Sequence, residues 1–261
     1  MRRPPSTSVL VSFAVGTVVL VAFVARELRI AHPMLDIRLF KHRGFTMVNL
    51  TALFFSFGMF GSIFFLSQYL QTVQGYSPLQ AGIRILPWTA IPMVLAPVVG
   101  LLAERWGGKP LIATGLTLQA TGLAWLVTII TPTTPFTDMV VPFVICGLGM
   151  TLFFVPLASV VLGTLPKALE GVASGTNAAF RELGGVLGIA VLGAVFSSNG
   201  GYASAQDYVS GLTPAVAVGA AVVAVGALCA LALPRRRRLV SPVDAAAVPV
   251  LAGEPAEPAF N

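Results

Sequence analysis

Charge is what this sequence has least of. Asp, Glu, Lys and Arg together make up 10% of its 261 residues, where a soluble domain carries about 25%. Hydrophobic residues make up 56%, more than a water-soluble chain of this length can hide behind polar cover. Cysteine is nearly absent as well. Cys146 and Cys229 both fall inside apolar runs, which excludes a disulfide framework and leaves them as small packing residues. Histidine is limited to His32 and His42, both between apolar runs, so neither a metal-ligand cluster nor a histidine-based catalytic centre can be built. The carboxylates are scattered and never gather at one depth. A membrane enzyme, such as a lipid-modifying one, is therefore disfavoured, and the chain reads as a non-enzyme that needs no cofactor.

What the sequence does have is length of apolar run. A hydrocarbon core about 30 Å thick takes roughly 20 residues of helix, and closed barrels are the only other backbone solution in lipid. Barrel strands alternate apolar and polar residues, whereas Val9 to Val24 and Val216 to Leu233 do not. The pattern predicts an all-α integral membrane protein with helical spans at 8–25, 45–70, 79–103, 110–130, 139–162, 173–197 and 214–233. Turn residues separate them, as in Gly75-Tyr76-Ser77-Pro78, Gly107-Gly108-Lys109-Pro110 and Thr131-Pro132-Thr133-Thr134-Pro135. The expected organisation is an extra helix and linker over 1–43, a six-helix bundle over 44–234, and a basic stop with a disordered tail over 235–261.

The net charge of +6 points to lipid, not to nucleic acid, because the basic residues hug the ends of spans. Arg26, Arg29, Arg38, Lys41, Arg43, Arg105, Lys109, Lys167 and Arg235 to Arg238 all fall on one side of the predicted topology. Arg2 and Arg3 fall on the other. Positive loops stay in the cytoplasm, which places the C-terminus inside a cell membrane and, with seven spans, the N-terminus outside. A cleavable signal ending near Ala25 is disfavoured, since Phe23 occupies a position that wants a small residue and basic residues follow.

The connection between the third and fourth spans carries the most specific string, Gly100-Leu101-Leu102-Ala103-Glu104-Arg105-Trp106-Gly107-Gly108-Lys109-Pro110. Gly100 would let two helices approach, Glu104 and Arg105 put opposite charges at the membrane face, and Gly107 permits a tight reversal. A carboxylate there can pair in one conformation and release in another, a conformational latch that also includes Lys109. This string resembles the loop signature of the major facilitator superfamily, with Glu104 in place of the usual Asp. Further strings are similar to the fourteen-span drug:proton antiporters of the EmrB/QacA type. They are Tyr69-Leu70-Gln71 through Gly75-Tyr76-Ser77-Pro78 to Leu86-Pro87, His32-Pro33-Met34-Leu35-Asp36, and Ala173-Ser174-Gly175 through Arg181-Glu182-Leu183-Gly184-Gly185 to Gly188 and Ala190.

The resemblance runs from about Ser8 to Leu233 and implies a multidrug exporter driven by the proton gradient, of which this is the C-terminal half. In that fold two six-helix halves rock around a midplane site. The expectation is therefore that this chain does not pump without an N-terminal half. The other reading is a non-transporting truncated component that associates with or regulates a full transporter.

Within this half, Asn49, Ser56, Ile63 and Ser67 recur close to one face of the second span, with Gln68 and Gln71 near its end and Phe54, Phe55, Phe57, Phe60, Phe64 and Phe65 around them. Such a wall suits hydrophobic or cationic compounds through stacking and cation–π contact; the competing reading is packing and lipid contact. Trp88 beside Pro87, Pro92 and Pro97 in the third span, and Gln119 with Thr114, Thr117 and Thr121 in the fourth, are further lining candidates. Prolines can kink a span by removing a helical bond. Arg181 and Glu182 are adjacent opposite charges deep in the sixth span, pointing about 100° apart and so serving different partners, with Arg181 placed roughly 12 Å from its inner end. Glu182 is the candidate for proton exchange, against the competing reading of structural pairing or snorkelling to the interface, and Gly184 and Gly188 are candidates for close helix packing.

Overall fold

The computed structural model describes residues 37–165 and 169–233, together with isolated positions between 15 and 26. A short 3-10 turn, Ile37–Lys41, leads into seven α-helices: α1 Arg43–Thr72, α2 Pro78–Thr89, α3 Ile91–Trp106, α4 Gly108–Ile129, α5 Phe136–Leu162, α6 Glu170–Asn199 and α7 Ala205–Leu231. Helices α2 and α3 together form one crossing, so the described residues hold six spans long and apolar enough for a bilayer. The expected span at 8–25 lies almost wholly outside the described residues.

The connections alternate between two ends of the bundle. One end, here the basic end, collects the start of α1, the α3–α4 turn, the α5–α6 connection and the end of α7. At the opposite end, Ser77 caps α2. Its Oγ accepts from the Gln80 amide at 3.3 Å while its own amide donates to Gln80 Oε1 at 3.1 Å, with Pro78 in the first turn. That reciprocal box satisfies donors the helix leaves free. Gly75, at φ +71°, makes the reversal that precedes it. Tyr69 ties this end together: its hydroxyl donates to Thr131 O at 2.6 Å and accepts from Gln74 Nε2 at 2.8 Å.

Helix α1 is the hub, packed against α6 on one side and α7 on another; α7 packs in turn on α4, α4 on α5, and α5 on α2 and α3. Glycine makes these seams close. A Cβ on Gly188 would strike the Phe57 carbonyl and one on Gly184 the Leu53 carbonyl, so α6 and α1 touch backbone to backbone. Gly115 and Gly149 do the same for α4 and α5, where each added Cβ would meet the other's carbonyl oxygen at 2.7 and 2.6 Å. In lipid there is no hydrophobic force between helices, and small residues supply association through packing. The outward surface is correspondingly apolar: Leu79, Met93, Val94, Leu101 and Leu228 are all largely exposed.

Three boundaries differ from expectation. Helix α7 begins at Ala205, not 214, and carries Pro214 inside it. The polar start reads as a loop, yet Ser204 Oγ caps it by accepting from the Asp207 amide at 3.0 Å, and Tyr208 donates to Phe65 O at 2.9 Å. The third span breaks at Ala90, between Pro87 and Pro92, while Pro97 leaves α3 intact. Helix α6 starts three residues early, at Glu170, which moves Arg181 to about 16 Å from the helix start.

Candidate functional site

Polar residues in a lipid-packed bundle must find partners or water, and the candidate face of α1 divides on that criterion. Toward the basic end, Asn49 and Ser56 are completely buried. Asn49 Nδ2 donates to Phe45 O at 2.8 Å, and Asn49 Oδ1 accepts from Asn177 Nδ2 of α6 at 3.1 Å. Toward the opposite end the same face opens. Phe60 and Phe64 are each 42% exposed, Ile63 and Ser67 are half-buried, and Gln71 Nε2 bonds back to Ser67 O at 3.2 Å. Gln68 accepts from the Tyr202 hydroxyl at 3.0 Å. One helix face is thus dry and sealed at one end and accessible at the other.

The seal is aromatic as well as polar. Phe55 stacks on Phe153 of α5 at 3.9 Å between ring centroids and meets Phe154 edge-on at 5.3 Å. Arg181 of α6 reaches over the Phe154 ring, its Cζ 5.5 Å from the centroid. The α1–α6 seam next to it is fixed by the Gly184 and Gly188 contacts already described. Glu182, one residue on and about 100° round the helix, is exposed, so the two charges serve different surroundings.

Other candidates are placed elsewhere. Trp88 is fully buried against Phe143, ring centroids 5.8 Å apart, with its indole N–H unpartnered. Gln119 is fully buried at the α4–α5 seam, where Cys146 Sγ approaches its carbonyl at 3.9 Å and neither side-chain amide atom has a partner. Neither side chain reaches an open surface of this half. Thr114, Thr117 and Thr121 are exposed on a different side of α4, and the last two bond their own helix at Ala113 O and Thr117 O. Beside Pro87, an apolar cavity of about 540 Å³ opens at the α2–α3 break, lined by Leu86, Ile91, Val94 and Val144 among others.

The α3–α4 turn is a one-residue reversal. Gly107, at φ +83°, occupies a backbone conformation that side-chain-bearing residues avoid, and Gly108 packs tightly against Val160. Glu104 and Arg105 project into the open and Lys109 is half-buried. Gly100 departs from expectation: among the described residues nothing lies within 4 Å of a Cβ placed there. It does not bring two helices of this half together, because α3 turns its other side, with Val99, toward the bundle.

Sequence reasoning assigned no role to Asn177, Phe154 or Tyr208. An asparagine within the span, on the glycine-bearing face of α6, was the available signal for the first. The aromatic partners depend on helix neighbours, which no single span reveals.

The profile of the Major Facilitator Superfamily matches residues 2–189. The chain belongs to that superfamily. It is 36% identical over 227 residues to the multidrug efflux pump LfrA of Mycolicibacterium smegmatis, a match covering 87% of this chain and 44% of the relative. It is 33% identical over 176 residues to the multidrug resistance protein Stp of Mycobacterium tuberculosis, covering 67% of this chain and 32% of the relative. The tetracenomycin C resistance and export protein of Streptomyces glaucescens matches at 32% over 189 residues, 72% of this chain and 35% of that one. The chain thus spans less than half the length of these relatives. It is a multi-pass membrane protein related to drug exporters.

Proposed function

We propose that this chain is the C-terminal half of a proton-driven exporter of hydrophobic drugs, working by alternating access with a complementary N-terminal half in the cell membrane. The observation that carries the reading is the graded face of α1. Asn49 lies sealed against α6 and Ser56 is fully buried, while Phe60 and Phe64 lie open. A half-clamp closed at the basic end and open at the other is what one limit of a rocking transporter requires. An aromatic wall with few polar groups binds bulky amphipathic compounds by area and stacking, with weak discrimination. Glu182, deep in α6 and exposed, is the carboxylate of this half best placed to take up and release a proton.

The basic end is cytoplasmic in this reading, by the bias of Lys and Arg. A reporter fused beyond Arg238 is then inaccessible from outside intact cells. The deciding experiment is dye efflux from cells expressing this chain with and without a complementary six- or seven-span half. Efflux that needs both and collapses with a protonophore supports the proposal. Efflux by this chain alone, or efflux indifferent to a protonophore, overturns it.

A further inference from the structure

We infer that Arg181 is a carboxylate-binding site at the sealed end of the α1 face, and that the exporter takes amphipathic compounds bearing an acid group in preference to permanent cations. The inference rests on the proposed transport function and sharpens its substrate class.

Arg181 lies about 16 Å along α6 from Glu170. A guanidinium at such depth needs a counter-charge, a carbonyl or a water-filled cavity. Arg84, near the outer end of its own span, stacks over Tyr76 at 3.6 Å and donates to Gln80 O at 3.3 Å, with its Nε left unpartnered. Among the described residues half-buried Arg181 has only the face of Phe154, at 5.5 Å, a weak and non-directional contact. No carboxylate among the described residues is placed to pair with it. Glu104, Asp138, Glu170 and Asp207 sit at helix ends, and Glu182 points about 100° away into the open.

The surroundings fit a ligand. Arg181 shares a helix face with Asn177, Gly184 and Gly188, the face turned to α1. Asn177 seals one side of it against Asn49. One turn further, Gly185 abuts the half-exposed Phe60, where a Cβ would meet the ring at 3.1 Å. A compound entering along Phe64 and Phe60 would lay its apolar body on those rings and bring its polar head to Arg181. The guanidinium presents a planar fork of donors that matches a carboxylate with two parallel hydrogen bonds. The same fixed positive charge repels a quaternary ammonium head.

The test uses this chain in lipid nanodiscs, a fluorescent naphthyl-alkyl carboxylate, its primary amide and its trimethylammonium analogue, with empty nanodiscs subtracted. The expected result is about tenfold tighter binding of the carboxylate than of the amide, with the ammonium weakest. Arg181→Ala should bind carboxylate and amide alike while keeping the amide affinity, and Arg181→Lys should keep part of the preference. Intact cooperative thermal unfolding of Arg181→Lys guards against a folding artefact. Equal binding of carboxylate and amide by the wild-type chain, or a preference that survives in Arg181→Ala, overturns the carboxylate assignment alone. Failure of all three probes to bind overturns the lining itself and the transport reading with it. Loss of carboxylate binding when the complementary half is present assigns the counter-charge to that half and overturns the substrate inference.

Discussion

Asn177 donates a hydrogen bond to Asn49 across the α1–α6 seam at 3.1 Å, with both side chains buried and Asn49 passing the interaction on to Phe45 O. Removing either partner strands the other in a dry seam. Asn177→Ala and Asn49→Ala should each destabilise the bundle by about 1 kcal/mol, the usual worth of an interhelical polar bond in membranes. The double variant should cost less than the sum, because the second substitution removes a group already unpaired. Thermal unfolding of the four proteins in one detergent measures the coupling; strict additivity would mean the bond contributes nothing.

That pair also marks how far the sequence alone could be read. The spans were legible because lipid demands an unbroken apolar helix and confines charge to the gaps, so five of the six described crossings fall within a few residues of their expected positions. Helix α7 escaped because its first turns are polar for a local reason, the Ser204 cap and the Tyr208 bond to Phe65. The lining was harder. Asn49, Gln119 and Trp88 have the composition of a pocket, but in lipid a polar side chain turned toward another helix and one turned toward a cavity look alike in one dimension. Only the neighbouring helices separate them, and they put Trp88 and Gln119 in packing seams.

The glycine seam gives a sharper contrast. Gly188→Val would drive a side chain into the Phe57 carbonyl, a backbone group with nowhere to go, and should cost about 1–3 kcal/mol or separate α6 from α1. Gly171→Ala, on the same helix, meets nothing within 4 Å and should be neutral or stabilising by up to about 1 kcal/mol, from helix propensity. An unfolding midpoint that falls for Gly188→Val and holds or rises for Gly171→Ala is the expected result.

At the far end of the bundle, Tyr208 holds the start of α7 to α1 through Phe65 O at 2.9 Å while its ring packs on Phe196 at 4.9 Å. Tyr208→Phe keeps the ring and removes only the hydroxyl. It should cost about 1 kcal/mol and raise amide exchange over the first two turns of α7, leaving α4 and α5 unchanged. Hydrogen exchange resolved by helix checks this, and uniform loosening of the whole bundle would contradict a local clasp.

The break at Ala90 carries the prediction most closely tied to movement. Pro92 has no amide proton to offer the Trp88 carbonyl, and Gly147 of α5 lies so close that a Cβ on it would meet that carbonyl at 2.7 Å and the Pro87 carbonyl at 3.0 Å. The freed carbonyls and the glycine therefore form one joint between α2 and α3. Pro92→Ala restores the missing donor and should let α2 and α3 run as one helix. Because Pro92 stands in the first turn of α3, where proline is tolerated, stability should hold or rise modestly. Efflux by the two-half assembly should fall nonetheless, since the joint has been stiffened. Thermal unfolding and dye efflux on the same variant check both halves of this expectation. Unimpaired efflux by a stabilised Pro92→Ala protein would show that the break serves packing alone.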